Sequence, residues 1–446
     1  MEPEDRAMVE ALWRHSGRKQ LGDFLDQGAG CGWCRHPIRL RGYASTETDG
    51  ERTVIFSSAS RPDGVVLKTC GSRSELQCPA CAAVYRGDSR HLVRAGLEGG
   101  KGVDPAVATH PAVFLTLTAP GFGAVHAARH GSLCRRPGLH SSARCAHGRL
   151  LRCDARHRIS DELIGTPICP DCYEYVGAVL QNASTPELWR RTTIYVQRRL
   201  ASVLGCTQTE AARVVRLASC RVAEFQRRGL VHMHAVVRAD GIDGMAPPID
   251  FWQLARACAE AARAVRVSHP QGVARWGDEI DVQVLGNGDD RAKRVATYVA
   301  KYSTKSSSKH PGLQHRILSL VDLDRRALPP HPHRMVETAW MLGDESDLEH
   351  LGLRRHAHRL GFGGHFLSKS RAYSTTFGAL REARALWQED RRTGGGASSN
   401  GLSEGRWRAV GSGWANQGEE LFAGYQQRQW AEGRREAEFW WYTRSD

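Results

Sequence analysis

No stretch of this 446-residue chain approaches the run of about 18 apolar residues that a membrane-spanning helix needs. The opening MEPEDRAMVEALWRHSG is too acidic and polar for a signal or transit peptide. A cytoplasmic location with no membrane partner is therefore expected. No G-x-x-x-x-G-K-[ST] occurs, which excludes a helicase-type phosphate loop, so any unwinding would fall to another protein. Lysine is scarce, 8 of the 62 basic residues. No cysteine lies beyond Cys258, and ten of the thirteen precede residue 173, so their task belongs to the N-terminal part. No internal repeat suggests a solenoid.

Acidic residues are outnumbered, and the formal net charge is +14. Clustered cations gain affinity for phosphate backbones by releasing condensed counterions, so the balance points to nucleic acid. An Ala-, Gly- and Arg-rich chain is also what a GC-rich genome encodes, so charge favours that partner without deciding it. Thiols stay reduced in the cytosol, and C-x-x-C occurs at Cys31/Cys34, Cys78/Cys81 and Cys169/Cys172. Paired knuckles there read as tetrahedral structural zinc. Thiol redox catalysis is the alternative, but no thioredoxin-like βαβ pattern surrounds them. Five cysteines, Cys31, Cys34, Cys70, Cys78 and Cys81, compete for a first site. A second takes Cys169 and Cys172 with two of Cys145, His147, Cys153 and His157, of which Cys153 and His157 are preferred. Cys206, Cys220 and Cys258 read as small buried hydrophobes.

The length suits two or three domains. Residues 1–106 read as an N-terminal zinc-binding module. A second domain, 107–321, opens on HPAVFLTLTAPGFG, where Phe114, Thr116 and Thr118 alternate with Leu115 and Leu117 as in a strand. It carries a Cys- and His-rich insertion at about 134–175. ELWRRTTIYVQRRLASVLG then predicts a basic amphipathic helix, VRLASCRVAEFQ and LVHMHAVVRA a hairpin turned at RRG, and FWQLARACAEAARAVRV a helix. After a strand at DVQVLG, DRAKRVATYVAKYSTKSS predicts a helix capped by the Asn-Gly-Asp-Asp turn. The alternation suits an α+β antiparallel sheet with helices on one face. Residues 322–446 read as mostly helical, with a flexible linker near 391–405 and a Trp-rich helical tail.

Side chains alternate across a strand, so His232 and His234 share one face. Two imidazoles so placed can chelate a divalent ion. The hairpin can bring Glu224 to the same face, and two His plus one carboxylate with open positions suit a hard divalent ion that also holds a phosphate oxygen. On the later helix Tyr298 and Tyr302 stand at i, i+4, each followed three residues on by a lysine, Lys301 and Lys305. A phenol is a weak nucleophile until cations stabilise its phenolate and the charge developing on phosphorus, and those ammonium groups supply such a field.

Taken in order, FLTLT, HMH and YVAKYSTK resemble motifs 1, 2 and 3 of the HUH endonucleases. With PIRLRGY, CGSRSELQCPACAAVYRGD, RHLVRAGLEGGKGV, CPDCYEY, EFQRRGLVHMHAVVRADG and GFGGHFLSKSRAYSTTFGALR, the chain from about 30 to 390 resembles rolling-circle replication initiators of actinobacterial plasmids and integrative conjugative elements. The resemblance implies an HUH domain with a ferredoxin- or RRM-like sheet. It implies Mg²⁺ or Mn²⁺ on His232, His234 and Glu224, Tyr302 as the nucleophile, Tyr298 as its partner, and Lys301 and Lys305 as charge stabilisers. It favours Cys34, Cys70, Cys78 and Cys81 for the first zinc, making two Zn²⁺ in all. The implied activity is nicking and strand transfer at origin DNA through a 5′-phosphotyrosine, with a host helicase and DNA polymerase as partners. Arg227 and Arg228 are expected on the DNA backbone. A two-tyrosine transposase or a conjugative relaxase would share this chemistry. A metallohydrolase would leave free 5′-phosphates, and a non-catalytic zinc DNA-binding regulator would not need the tyrosines.

Overall fold

A computed structural model describes residues 3–15, 18–48, 51–128, 133–134, 144–286, 291–304, 311–393 and 403–429. The strands described are β1 (Ile38–Thr48), β2 (Glu51–Ser57), β3 (Val66–Lys68), β4 (Ala112–Leu117), β5 (Arg216–Phe225), β6 (Val231–Asp240), β7 (Arg266–His269), β8 (Gly272–Arg275), β9 (Ile280–Leu285), β10 (Leu367–Lys369) and β11 (Ser403–Ser412). The chain divides into two compact units, 1–88 with 378–446, and 89–377. The boundaries expected at 106 and 321 both fall inside the second unit. Among the described residues no helix is long and apolar enough to cross a membrane.

In the first unit β1 pairs antiparallel with β2, β3 and β11. The C-terminal region, expected to be mostly helical, also contributes a strand, because 403–412 is set against β1, with Tyr43 opposite Arg406. No local pattern discloses a partner so distant in sequence. The linker expected near 391–405 overlaps helix up to Thr393 and strand from Ser403, while 394–402 lie outside the described residues, as does the tail from 430. The core here is aromatic. Trp33 stacks on Trp414 with centroids 5.8 Å apart, Phe24 meets both, and Trp414 Nε1 donates to the Cys34 carbonyl at 3.0 Å.

The second unit is built on a five-stranded antiparallel sheet, in order β10-β5-β6-β4-β9. Val113, Leu115 and Leu117 from β4 and Met233, Ala235 and Val237 from β6 point to one face. There they pack on Leu188, Val196 and Leu200 of the helix Tyr175–Val203 and on Leu254, Cys258 and Ala261 of the helix Phe251–Ala264. Each large side chain buried this way contributes about 1.5–3 kcal/mol. The opposite face is not left bare, since the helix Arg291–Ser303 brings Tyr298 onto it.

The helix expected from Glu187 begins at Tyr175 and contains Pro186. A proline has no N–H to give and reads as a helix start. Here the preceding turns are buried and use their polar side chains: Thr185 Oγ1 donates to the Gln181 carbonyl, and Asn182 bonds outward. The helix expected over 251–267 stops at Ala264, and Arg266 and Val267 belong instead to strand β7. The turn expected to cap the tyrosine helix, 287–290, lies outside the described residues.

Candidate active site

Register is what builds this site. Glu224 on β5 lies directly opposite His232 on β6, and His234 lies between Val222 on β5 and Thr116 on β4. Residues paired across strands share a face, so the hairpin places two imidazoles and a carboxylate side by side. Their ligand atoms lie within 4.8 Å of one another, with His234 Nε2 3.5 Å from Glu224 Oε1. The turn between the strands needs Gly229, whose φ is +75°.

Two threonines orient the rings. A hydrogen bond of 3.2 Å joins Thr118 Oγ1 to His232 Nδ1, and another of 3.2 Å joins Thr116 Oγ1 to His234 Nδ1. Anchoring each Nδ1 leaves both Nε2 atoms for a ligand, as outer partners of metal-binding histidines do. Phe114, two residues before Thr116, stacks on His234 with centroids 5.7 Å apart and planes 6° apart. The resemblance marked FLTLT as motif 1 without giving Phe114, Thr116 or Thr118 a task; their pairing with H-x-H supplies one. His234 is buried at 3% exposure. Burial, then the neighbouring His234, lowers the His232 imidazole to about 4, so it stays neutral and able to ligate.

Both tyrosines reach the cluster. Tyr298 Oη is 3.1 Å from His234 Nε2. The Tyr302 ring lies 4.6 Å from that of Tyr298 and 5.8 Å from His234, centroid to centroid. Burial and then a hydrogen bond with Tyr302 raise the Tyr298 phenol above its ordinary value. Lys301 Nζ stands 5.8 Å from the Tyr302 ring centroid. Lys305 lies outside the described residues. Two imidazoles with a carboxylate fit a divalent metal, and both tyrosine rings stand beside them.

The two arginines differ in use. Arg228 Nη2 and Nη1 donate to the carbonyls of Ala119 (2.7 Å) and Pro120 (3.0 Å), and Nε to Gln226 Oε1. These three donors hold the turn. Arg227 is exposed, with Nη1 on the Asp161 carbonyl at 2.9 Å. Asn182, fully buried, was not recognised from sequence. It donates to the carbonyls of Gly229 (2.8 Å) and Leu360 (2.9 Å) and accepts from Val231 N (2.9 Å). His331 also meets the Arg228 carbonyl, at 3.1 Å.

The cysteines form separate clusters. Cys34, Cys70, Cys78 and Cys81 come together, with sulfurs 3.6, 3.6 and 3.8 Å apart. Zn–S bonds of about 2.3 Å in a tetrahedron would set sulfurs about 3.8 Å apart. Hydrogen bonds with Cys34 and then Cys81 lower the Cys78 thiol far below its ordinary value. Cys31 stays outside, its thiol on the Gly28 carbonyl. The second expected set does not assemble: Cys153 and His157 lie with His126 and Cys134, whereas Cys169 and Cys172 lie with Cys145 and His147. Spacing along the chain favoured adjacent pairs, and the folding of the insertion does not follow it. Cys220 and Cys258 are fully buried, which pushes both thiols up to about 12.

Comparison with known proteins was made against this geometry. A family model described as replication initiator protein, pSAM2 (RepSA), matches residues 20–428. A replication initiator protein from Streptomyces ambofaciens is 38% identical over 401 residues, covering 85% of this chain and 83% of that protein. No solved structure matches.

Proposed function

The chain belongs to the replication initiator family of the pSAM2 type, and from that premise we propose that it starts rolling-circle replication of a plasmid or integrative element by nicking its origin as an HUH endonuclease. The observation that carries this reading is the meeting of Glu224, His232 and His234 with the hydroxyl of Tyr298 and the ring of Tyr302 on one sheet face.

Glu224, His232 and His234 would hold Mg²⁺ or Mn²⁺. Such an ion, when bound, supplies Lewis-acid polarisation of the scissile phosphate. Thr116 and Thr118 keep both imidazoles turned to it. Tyr302 attacks the phosphorus, forming a Tyr–O–P bond as the bond to the 3′-oxygen breaks. The phenolic proton balances the departing oxygen, so the products are a 5′-phosphotyrosine and a free 3′-OH. Lys301, with Lys305 from the adjoining segment, stabilises charge developing on the phosphoryl oxygens. The ester conserves the phosphodiester energy, and Tyr298 accepts the second strand transfer that closes the product. A host polymerase extends the 3′-OH, and a host helicase unwinds ahead of it.

The test is incubation with Mn²⁺ and labelled single-stranded origin DNA, followed by a denaturing gel and mass mapping. A protein–DNA adduct on Tyr302, abolished by EDTA and by Tyr302→Phe, is expected, with Tyr298→Phe retaining the first cleavage. Free 5′-phosphate ends would indicate a metallohydrolase. Origin binding with no cleavage in any strand would leave a non-catalytic zinc regulator.

A further inference from the structure

Among its described residues, the insertion between β4 and the helix Tyr175–Val203 holds eight Cys and His side chains in two groups of four. Along the chain they come in pairs: His126 and Cys134, then Cys145 and His147, then Cys153 and His157, then Cys169 and Cys172. The first pair joins the third and the second joins the fourth. We propose that His126, Cys134, Cys153 and His157 bind a structural zinc ion of their own, so that the insertion carries two ions on interleaved ligand pairs and the whole chain three.

The donors suit the metal. Two thiolates and two imidazoles balance the charge of Zn²⁺ and match its preferred tetrahedral N/S set. The donor atoms face one another at hydrogen-bond distance: His126 Nδ1 lies 3.2 Å from His157 Nε2 and 3.8 Å from Cys134 Sγ, and Cys153 Sγ lies 3.4 Å from His157 Nε2. The other foursome is as compact, with Cys145 and Cys169 sulfurs 3.7 Å apart and His147 Nδ1 3.3 Å from Cys172 Sγ. His157 has the outer partner a zinc histidine uses, since its Nδ1 faces Asp161 Oδ2 at 2.5 Å. Among the described residues, a short backbone ladder runs from Ile168 N to the Ala124 carbonyl, His126 N to the Thr166 carbonyl and Gly165 N to the His126 carbonyl, and Cys134 N donates to the Ala155 carbonyl at 2.8 Å. That ladder sets His126 beside the approach to Cys169, while the knuckle at 145–148 turns on Gly148 N donating to the Cys145 carbonyl.

Interleaving has a physical consequence. Each ion closes a loop that contains ligands of the other, so each lowers the loop-closure entropy its neighbour must overcome. Binding of the two is therefore mutually reinforcing. The ion site also reaches the H-x-H hairpin. Asp161 holds His157 through its carboxylate and accepts from Arg227 Nη1 through its carbonyl. Gly165 approaches so closely that a Cβ there would lie 2.5 Å from the Arg227 carbonyl carbon. The zinc pair thus braces the turn that leads into His232. This holds whether or not the chain nicks DNA.

The test is native mass spectrometry of the full chain with metal analysis. Three zinc ions per chain are expected; two would overturn the proposal, and that count needs no variant. Cys134→Ser and His126→Ala should each lower the count by at least one. An unchanged count in both would also overturn it, because neither residue is a ligand if Cys153 and His157 share one ion with Cys169 and Cys172. Hydrogen exchange at 226–231 should quicken in Cys134→Ser, and unchanged exchange in a variant that has lost zinc would overturn the bracing role.

Discussion

Thr118 shows how much a single hydroxyl can do at this site. His232 would otherwise rotate about χ1 and χ2 on an open strand end; the bond from its Nδ1 to Thr118 Oγ1 removes that freedom and turns Nε2 toward Glu224 and His234. Thr118→Val keeps the shape and deletes the hydroxyl. Loss of an outer partner of this kind weakens metal binding about 10–100-fold, and calorimetric titration of Mn²⁺ into wild type and variant should show a drop of that size. Equal affinities would mean that the strand alone orients the ring. The histidines, the carboxylate and the tyrosines were legible in the sequence because their residue types and spacings are those of the chemistry. Thr116, Thr118 and Asn182 were not, because their significance lies in what they touch. A threonine two residues from another in a strand is ordinary until the neighbouring strand is known to carry H-x-H. Arg228 has a further task the sequence did not disclose: charge suggested phosphate, and the carbonyls of Ala119 and Pro120 engage two of its donors.

The β5–β6 hairpin is the element on which the site depends. Its two strands pair from Arg216 opposite Asp240 through Phe225 opposite Val231, and a slip of one residue would turn both histidines into the apolar core. Asn182 guards that register. It grips Gly229 and Val231 from a fully buried position on the helix Tyr175–Val203. Asn182→Ala leaves buried backbone groups unpaired, each costing about 1–3 kcal/mol. Urea unfolding of wild type and variant should differ by at least that amount, with the Cys34, Cys70, Cys78 and Cys81 cluster unaffected. A difference below about 0.5 kcal/mol, the usual size for a surface change, would remove Asn182 from this role. The hairpin, the tyrosine helix and β9 could all be read from alternation and periodicity. The start of the long helix could not, since Pro186 imitates a helix N-terminus, and β10 and β11 could not, since each is short of local signals and depends on a distant partner.

For the whole chain, the first unit draws together residues that lie more than 300 positions apart: β1 with β11, and Trp33 with Trp414. A chain ending at Thr393 would bare the β1 edge and the Trp33 face, and limited proteolysis should then cut between 31 and 68 far faster than in the full chain. Equal resistance would mean that the unit closes without its C-terminal strand. Residue chemistry, and with it the replication-initiator reading, was legible before any fold was known, because metal ligands, paired tyrosines and cysteine knuckles announce themselves by type and spacing. Partnership was not. Which four cysteines and histidines share a cluster, which strand completes the first unit and which arginine has its donors taken depend on contacts between distant segments. Backbone pairing and loop closure select those contacts, and a linear pattern with a period of two or of 3.6 residues carries no record of them.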